Sequence, residues 1–297
     1  MIENYAGIVK RLSGARRTMS VAAAADREVV EAVARAAEVA GIDAVLYGDA
    51  GRIEAIRDET GLGGDFRVVD VPDDVAATRA AVRCVHDGEA QVLMKGLVNT
   101  SDFMRAVLDK EIGLRTGRVL SHLAAFELPG WSRLLFVTDG GINIAPSLQE
   151  KKEILHNALL SLACLGYAKP KVAVLTANEQ VNPKAPATVD AAEVAAAWQR
   201  GEFGDACIVE GPIALDVALS AEAARHKGIE SRIAGETDLF LTPTIEVGNV
   251  LGKSMSQLAG AALAGVVLGA SAPIVLTSRA ETAESKLNSI LLASGCA

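Results

Sequence analysis

The sequence predicts an α/β protein of two lobes with largely parallel sheets and a cleft between them, and three observations carry that expectation. Short apolar segments recur along the 297 residues, each separated from the next by a stretch with helical spacing, the alternation that a parallel sheet requires. The interiors of those segments are β-branched and poor in charge, as suits strands covered on both faces. The chain is also longer than one ordinary domain of ~100–200 residues. No repeat, low-complexity tract or flexible linker interrupts it. The expected division gives residues 1–138 and 277–297 to the first lobe and 139–276 to the second.

The expected strands are DAVLYG at 43–48, FRVVDV at 66–71, AQVLMK at 90–95, SRLLFVT at 132–138, KVAVLTA at 171–177, ACIVEG at 206–211, DLFLTP at 238–243 and APIVLTS at 272–278. Among the helices, DREVVEAVARAAEVAG starts at the N-cap residue Asp26 and stops at Gly41. It places Val29, Val30, Val33, Ala37 and Ala40 on one apolar face. SDFMRAVLDK begins at Thr100 or Ser101. QEKKEILHNALLSLACLG, AAEVAAAWQR, LDVALSAEAARHKG and AETAESKLNSILLAS complete the set.

Composition excludes several classes. A net charge of −8 is wrong for a protein that tracks a nucleic-acid backbone, although a few local cations still suffice for a small anion. Cys84, Cys164, Cys207 and Cys296 form no CxxC pair, so neither a disulfide framework nor a zinc site is expected, and a reducing cytoplasm is. The N-terminus MIENYAGIVKRLSG has no apolar leader. The charge-free run from Ser254 to Ser278 is long enough to span a bilayer. It is rich in Ala and Gly and broken by GASAP, and reads as a buried helix, a turn and a buried strand. GxxxxGK[ST], GxGxxG after the first strand, GxSxG and HExxH are all missing. The four histidines have no ligand spacing, and His86 and His226 read as helix C-terminal residues.

What remains is a set of polar residues at strand C-terminal ends, where open α/β sheets bind ligands. In QVLMKGLVNTSDFMRAVL, Lys95 ends a strand, while Asn99, Thr100 and Ser101 cover the start of a helix, an arrangement that suits an anion as well as an ordinary cap. In APIVLTSRAETAESKLNS, Thr277, Ser278 and Arg279 end a strand just before a helix whose first turn carries Glu281 and Glu284. An arginine there can hold phosphate in a bidentate fork, and the glutamates serve either as bases or as complements to the helix dipole. FVTDGGINIAPSL adds Asp139 and Asn143 in a glycine loop, and LTPTIEVGNVLGKS adds Glu246, Asn249 and Lys253. Spacing by itself reaches an α/β enzyme with an anionic substrate.

At these residues the sequence resembles the phosphate acetyl/butyryltransferase family, and its butyryl branch more closely. The resemblance runs from about Leu93 to Leu292, on the strings LMKGLVNTSDFMRAVL, LSHLAAFELPG, DGGINIAPSLQEK, GPIALDVALSAEAARHKGI, PTIEVGNVLGKS and APIVLTSRAETAESKLNSILLA. The first ninety residues match only loosely. The resemblance implies the reaction acyl-CoA + phosphate ⇌ acyl phosphate + CoA, without a metal, a permanently bound cofactor or a covalent acyl-enzyme. It implies coenzyme A and phosphate as substrates, a two-lobed fold like that of isocitrate/isopropylmalate dehydrogenases, and a homodimer or larger homo-oligomer. The family's serine–arginine pair falls on Ser278 and Arg279, and Lys95, Thr100, Ser101, Asn143, Asn249 and Lys253 are the residues expected to bind phosphate and coenzyme A. Where acetyl members carry an aspartate base, this chain has Ser285, so the base passes to Glu281 or Glu284, and failing those to Glu210 or Asp139. Glu210, Gly211 and Pro212 stand where butyryl relatives show Asp-Gly-Pro. Two other readings have less support: a metal- and NAD-dependent decarboxylating dehydrogenase, for which neither an aspartate cluster nor a dinucleotide loop is present, and a non-catalytic acyl-CoA binding protein.

Overall fold

The computed structural model describes residues 2–14, 16–61, 66–277 and 281–297. The chain divides into two compact units, a terminal one of residues 2–118 and 263–297 and a central one of 119–262.

The terminal unit begins with α1 (Tyr5–Leu12), β1 (Arg17–Ala22), α2 (Arg27–Ala40), β2 (Ile42–Gly48), α3 (Ala50–Thr60), β3 (Arg67–Asp70), α4 (Asp74–His86), β4 (Val92–Lys95) and α5 (Thr100–Val107). The central unit contains β5 (Ser121–Glu127), β6 (Leu135–Thr138), α6 (Leu148–Cys164), β7 (Lys171–Leu175), α7 (Pro186–Gln199), β8 (Ile208–Ile213), α8 (Leu215–Leu219), α9 (Ala221–His226), β9 (Leu239–Leu241) and α10 (Ile245–Leu258). The chain then returns through β10 (Ala262–Leu268), β11 (Ile274–Val275) and α11 (Ala283–Cys296).

In the terminal unit the strands lie in the order β3-β2-β1-β4-β11-β10. The pairs from β3 to β11 are parallel, and β10 runs antiparallel to β11. The order reverses between β1 and β4, so their C-terminal ends flank a topological switch point, the place where open sheets receive ligands. In the central unit the order is β5-β6-β9-β7-β8, with β5 antiparallel to β6 and the other pairs parallel. The α/β expectation and the largely parallel pairing hold, but each unit is mixed, with one antiparallel pair. The reason is connection length. β5 reaches β6 through residues 128–134 and β10 reaches β11 through 269–273, whereas a parallel crossover needs a dozen or more residues.

Local signals explain most boundaries. The Asp26 side chain accepts from Val29 N, and Gly41 closes α2 in the left-handed conformation at φ 63°. Its buried face is Val29, Val30, Ala32, Val33, Ala34 and Ala36, because α11 packs across it and draws the contact away from Ala37 and Ala40. Ser147 and Glu150 form a capping box at α6. LDVALSAEAARHKG forms two short helices, α8 and α9, rather than one, broken at Ser220, whose hydroxyl accepts from Ala223 N to start the second. The charge-free run reaches from the end of α10 through β10 to β11, and no described helix is long and apolar enough to cross a membrane.

The central core is built on Phe126, Phe136 and Phe240, all at most 1 % exposed. Tyr167 meets Phe136 edge-on at a centroid distance of 5.5 Å. Phe136→Ala is expected to destabilise the protein by about 3–5 kcal/mol, measured by denaturant unfolding; a loss below about 1 kcal/mol would place the core elsewhere.

Candidate active site

The polar strand ends singled out in the sequence fall into two groups, one on each unit.

In the central unit the group is organised by Asp139, just past β6 and 2 % exposed. Its Oδ1 accepts from Gly141 N at 2.7 Å and Ile142 N at 2.9 Å. Its Oδ2 accepts from His122 N at 3.0 Å, Asn143 N at 3.4 Å and Asn143 Nδ2 at 2.7 Å. A carboxylate so surrounded holds a loop in shape. Asn143 also donates to Leu120 O at 2.8 Å, so both of its amide hydrogens face protein.

The two glycines after Asp139 serve different contacts. A Cβ on Gly140 would sit 2.8 Å from the Gly248 carbonyl carbon, and one on Gly141 would meet the His122 ring at 2.9 Å. A Cβ on Gly248, in the first turn of α10, would reach Asp139 O at 2.6 Å. Loop and helix therefore meet backbone to backbone, a contact that only paired glycines permit. Thr242, just past β9, closes it by donating its hydroxyl to Asp139 O at 2.9 Å, and Asn249 Nδ2 donates to Gly140 O at 3.2 Å. Asn249 and Lys253 are exposed on α10. Glu246, also exposed, has its carboxyl held below the usual range, chiefly by a hydrogen bond from Thr244.

His122, Thr242 and Gly248 carry this arrangement and were not singled out in the sequence. His122 lies near the start of β5, and the antiparallel pairing of β5 with β6 brings it to the C-terminal end of β6. Its Nδ1 is buried with no hydrogen-bond partner among the described residues. Burial pushes the imidazole below its ordinary range against the opposing pull of Asp139, so the ring stays neutral at pH 7. The signal was the string LSHLAAFELPG, whose strand character is weak.

Glu210, on β8, accepts from Ser231 Oγ at 2.6 Å and Arg232 N at 2.9 Å, and Arg232 stacks on Trp198 at 4.9 Å. These residues line an open cavity of about 560 Å³. The Glu210 carboxylate is thus engaged in tying β8 to the 231–232 turn.

In the terminal unit, Lys95 ends β4 at the switch point and is 4 % exposed. Gly96 lets the chain turn away: a Cβ there would lie 2.3 Å from Ala23 O, and the backbone N–H of Gly96 donates to Ala22 O at 2.8 Å. Helix α5 begins at Thr100, as expected, and Asn99 caps it. Its Oδ1 accepts from Asp102 N at 2.9 Å and Ser101 Oγ at 2.7 Å. Asp102 is bonded to Asn99 and Arg105, and these contacts hold its carboxyl below the usual range, Asn99 first. Thr100 and Ser101 are exposed, with the Ser101 hydroxyl spent on the cap.

β11 pairs with β4 through Ile274–Leu93 and Val275–Met94, so the chain toward Thr277 leaves the sheet beside Lys95. Ser278 and Arg279 lie outside the described residues. Thr282 caps α11, its hydroxyl accepting from Ser285 N at 3.2 Å. Glu281 is half-buried, whereas Glu284, in the first turn, is exposed. Among the described residues no group of three or more His, Cys, Asp or Glu side chains is placed to hold a metal ion.

Gly248→Ala is expected to cost about 2 kcal/mol or more through the contact at Asp139 O, and to reduce activity further by displacing the 139–143 loop. Unchanged thermal stability and rate would show that the loop and helix can separate without consequence.

The family profile described as "Phosphate acetyl/butaryl transferase" matches residues 74–294. The chain is 44 % identical to phosphate butyryltransferase of Clostridium acetobutylicum over 99 % of its length and 98 % of the relative's. It is 40 % identical to phosphate acetyltransferase of Thermotoga maritima, covering 96 % and 97 %. Among solved structures, a branched-chain phosphotransacylase from Enterococcus faecalis superposes with TM-score 0.82 at 34 % identity, covering 94 % of this chain and 98 % of that one. The EutD phosphotransacetylase of Staphylococcus aureus shares the fold at TM-score 0.83 and 19 % identity, covering 98 % and 97 %. These neighbours replace the isocitrate dehydrogenase-like fold expected from the sequence with that of the phosphotransacylases. With this match over most of its length, and with polar groups gathered at the strand ends of both units, the chain belongs to the phosphate acetyl/butyryl transferase family.

Proposed function

We propose that this acyltransferase, which interconverts a short-chain acyl-CoA plus phosphate with acyl phosphate plus CoA, prefers butyryl and branched short acyl groups to acetyl. The observation that carries the preference is the near full-length likeness to a phosphate butyryltransferase and to a branched-chain phosphotransacylase. Each methylene of the acyl chain is worth only ~0.8 kcal/mol of burial, so the preference is one of degree.

In the forward direction a phosphate oxygen attacks the thioester carbonyl, a tetrahedral oxyanion forms, and the carbon–sulfur bond breaks to release CoA thiolate, which takes up a proton. In reverse, a base removes the thiol proton so that sulfur can attack the acyl phosphate. In this proposal Arg279 and Lys95 hold the phosphate, Ser278 donates to the oxyanion, and Thr100 and Ser101 shape the anion site through their loop, while Asn143, Asn249 and Lys253 are the central unit's candidates for contact with coenzyme A. A free thiol has a pKa near ~8.5, so a modest base is enough.

Glu284 fits that base best. Asp139 and Glu210 are occupied by the protein's own donors, and Glu281 also has contacts within the protein. Glu284 is exposed and takes no hydrogen bond from the described residues. We further propose that the enzyme works in the cytoplasm as a homodimer or larger homo-oligomer, which light scattering of the purified protein tests.

Incubation with butyryl-CoA, isobutyryl-CoA or acetyl-CoA should release free thiol only when phosphate is present, with acetyl-CoA the slowest. Equal rates would remove the preference, and phosphate-independent release would indicate a thioesterase. Glu284→Gln should lower kcat by about 10²-fold and flatten the rising limb of the pH–rate profile for acyl-CoA synthesis. An unaltered profile would return the role to Glu281.

A further inference from the structure

We propose that the outer face of α10 is the surface through which two copies of this chain pair, antiparallel about a twofold axis near Val250 and Leu251. The proposal rests on the homo-oligomer reading above and names the contact that builds it.

α10 packs in the reverse of the usual sense. A surface helix ordinarily turns its valines and leucines to the core and its polar residues to solvent. Here the inward side carries glycines. A Cβ on Gly248 would reach Asp139 O, and one on Gly252 would meet the Phe126 ring at 3.0 Å. Met255 is buried on that same side.

The larger aliphatic residues point away from it. Val247, Val250, Leu251, Ser254 and Leu258 recur at the spacing i, i+3, i+4, i+7 and i+11, and so form one stripe along the helix. Val247 is 42 % exposed, Val250 63 % and Leu258 86 %, while Leu251 and Ser254 are half-buried. No charge interrupts the stripe. A continuous exposed row of this kind marks a surface that a partner covers.

The charges beside the stripe say which partner. Glu246 and Lys253 are both exposed on one flank of it. They lie two turns and about 10 Å apart along the axis, too far to pair with one another. Neither is within 4.0 Å of an opposite charge among the described residues.

An antiparallel twofold contact centred between residues 250 and 251 sets Val250 against Leu251 and Val247 against the smaller Ser254. The twofold also keeps like flanks on the same side. Glu246 of each copy therefore comes beside Lys253 of the other, about 3 Å apart along the axis. The face is complementary to itself in shape and in charge. An isologous contact requires that, whereas an unrelated partner does not. α10 has 14 residues, about 21 Å of helix, and supplies the apolar centre of the interface with the charged flank as its rim. Lys253 is also a candidate contact of coenzyme A, so the partner's helix borders that part of the site.

The test uses the full-length protein and three variants, Val250→Asp, Glu246→Lys and Lys253→Glu, with molar mass followed by light scattering through a dilution series. The wild type should have twice the mass of one chain. Val250→Asp sets two carboxylates against each other at the axis, and should raise the dissociation constant by about a hundredfold or more. Glu246→Lys and Lys253→Glu should each weaken the dimer roughly tenfold through like-charge repulsion at both ends. An equimolar mixture of those two variants should regain the wild-type affinity, because unlike chains restore both ion pairs.

A Val250→Asp chain that folds, as judged by circular dichroism, and keeps the wild-type dissociation constant overturns the assignment. So does a mixture no tighter than its components, which would show that Glu246 and Lys253 do not face each other. Should Val250→Asp fail to fold, the charge variants, which alter no apolar residue, decide the matter. A monomeric wild type removes the homo-oligomer reading and this contact together; an assembled wild type that none of the variants weakens removes only the contact.

Discussion

The central unit depends on one buried carboxylate. Asp139 follows directly from β6 and gathers the N–H groups of His122, Gly141, Ile142 and Asn143 together with the Asn143 amide. Hydrogen bonds to an ionised acceptor are roughly twice as strong as neutral ones. They turn a glycine-rich loop, costly to order, into a defined surface. β5 is tied in through His122, α10 through the Gly140–Gly248 contact, and β9 through Thr242. Removing the carboxylate would take the acceptor from donors on β5 and on the 141–143 loop at once.

The same residue shows how much of a carboxylate's surroundings residue type leaves open. A carboxylate in a glycine loop at a strand end reads as a catalytic base, and so does Glu210 on β8. Both are saturated by backbone and hydroxyl donors from their own unit. Glu284, which reads equally well as a routine helix-dipole complement, is exposed. What separates a structural from a chemical carboxylate is the number of protein donors aimed at it, which depends on residues far apart in the chain.

The terminal unit solves a different problem. Its sheet reverses between β1 and β4, which puts Lys95 at the switch point. The short hairpin from β10 to β11 then sets β11 against β4, and α11 leaves from there. Lys95 lies buried there, 4 % exposed.

Much was legible in the sequence by itself. Strands with β-branched interiors, such as LFVT and KVAVL, declare themselves, as do helices with an Asp or Ser cap, because those signals are local. The family was legible too, because long strings of site residues stay together in the chain. β1, β5 and β10 were not: RTMSVA, SHLAAFE and ALAGVVL carry too few β-branched residues in alternation, and only pairing with neighbours makes them strands. Their omission hid the antiparallel pairs, and with them the position of His122. The break between α8 and α9 and the partners of Asp139 and Glu210 rest on contacts between residues distant in sequence. Residue types and their local spacing are written along the chain, whereas the direction of a strand and the saturation of a carboxylate are decided only when the chain packs against itself.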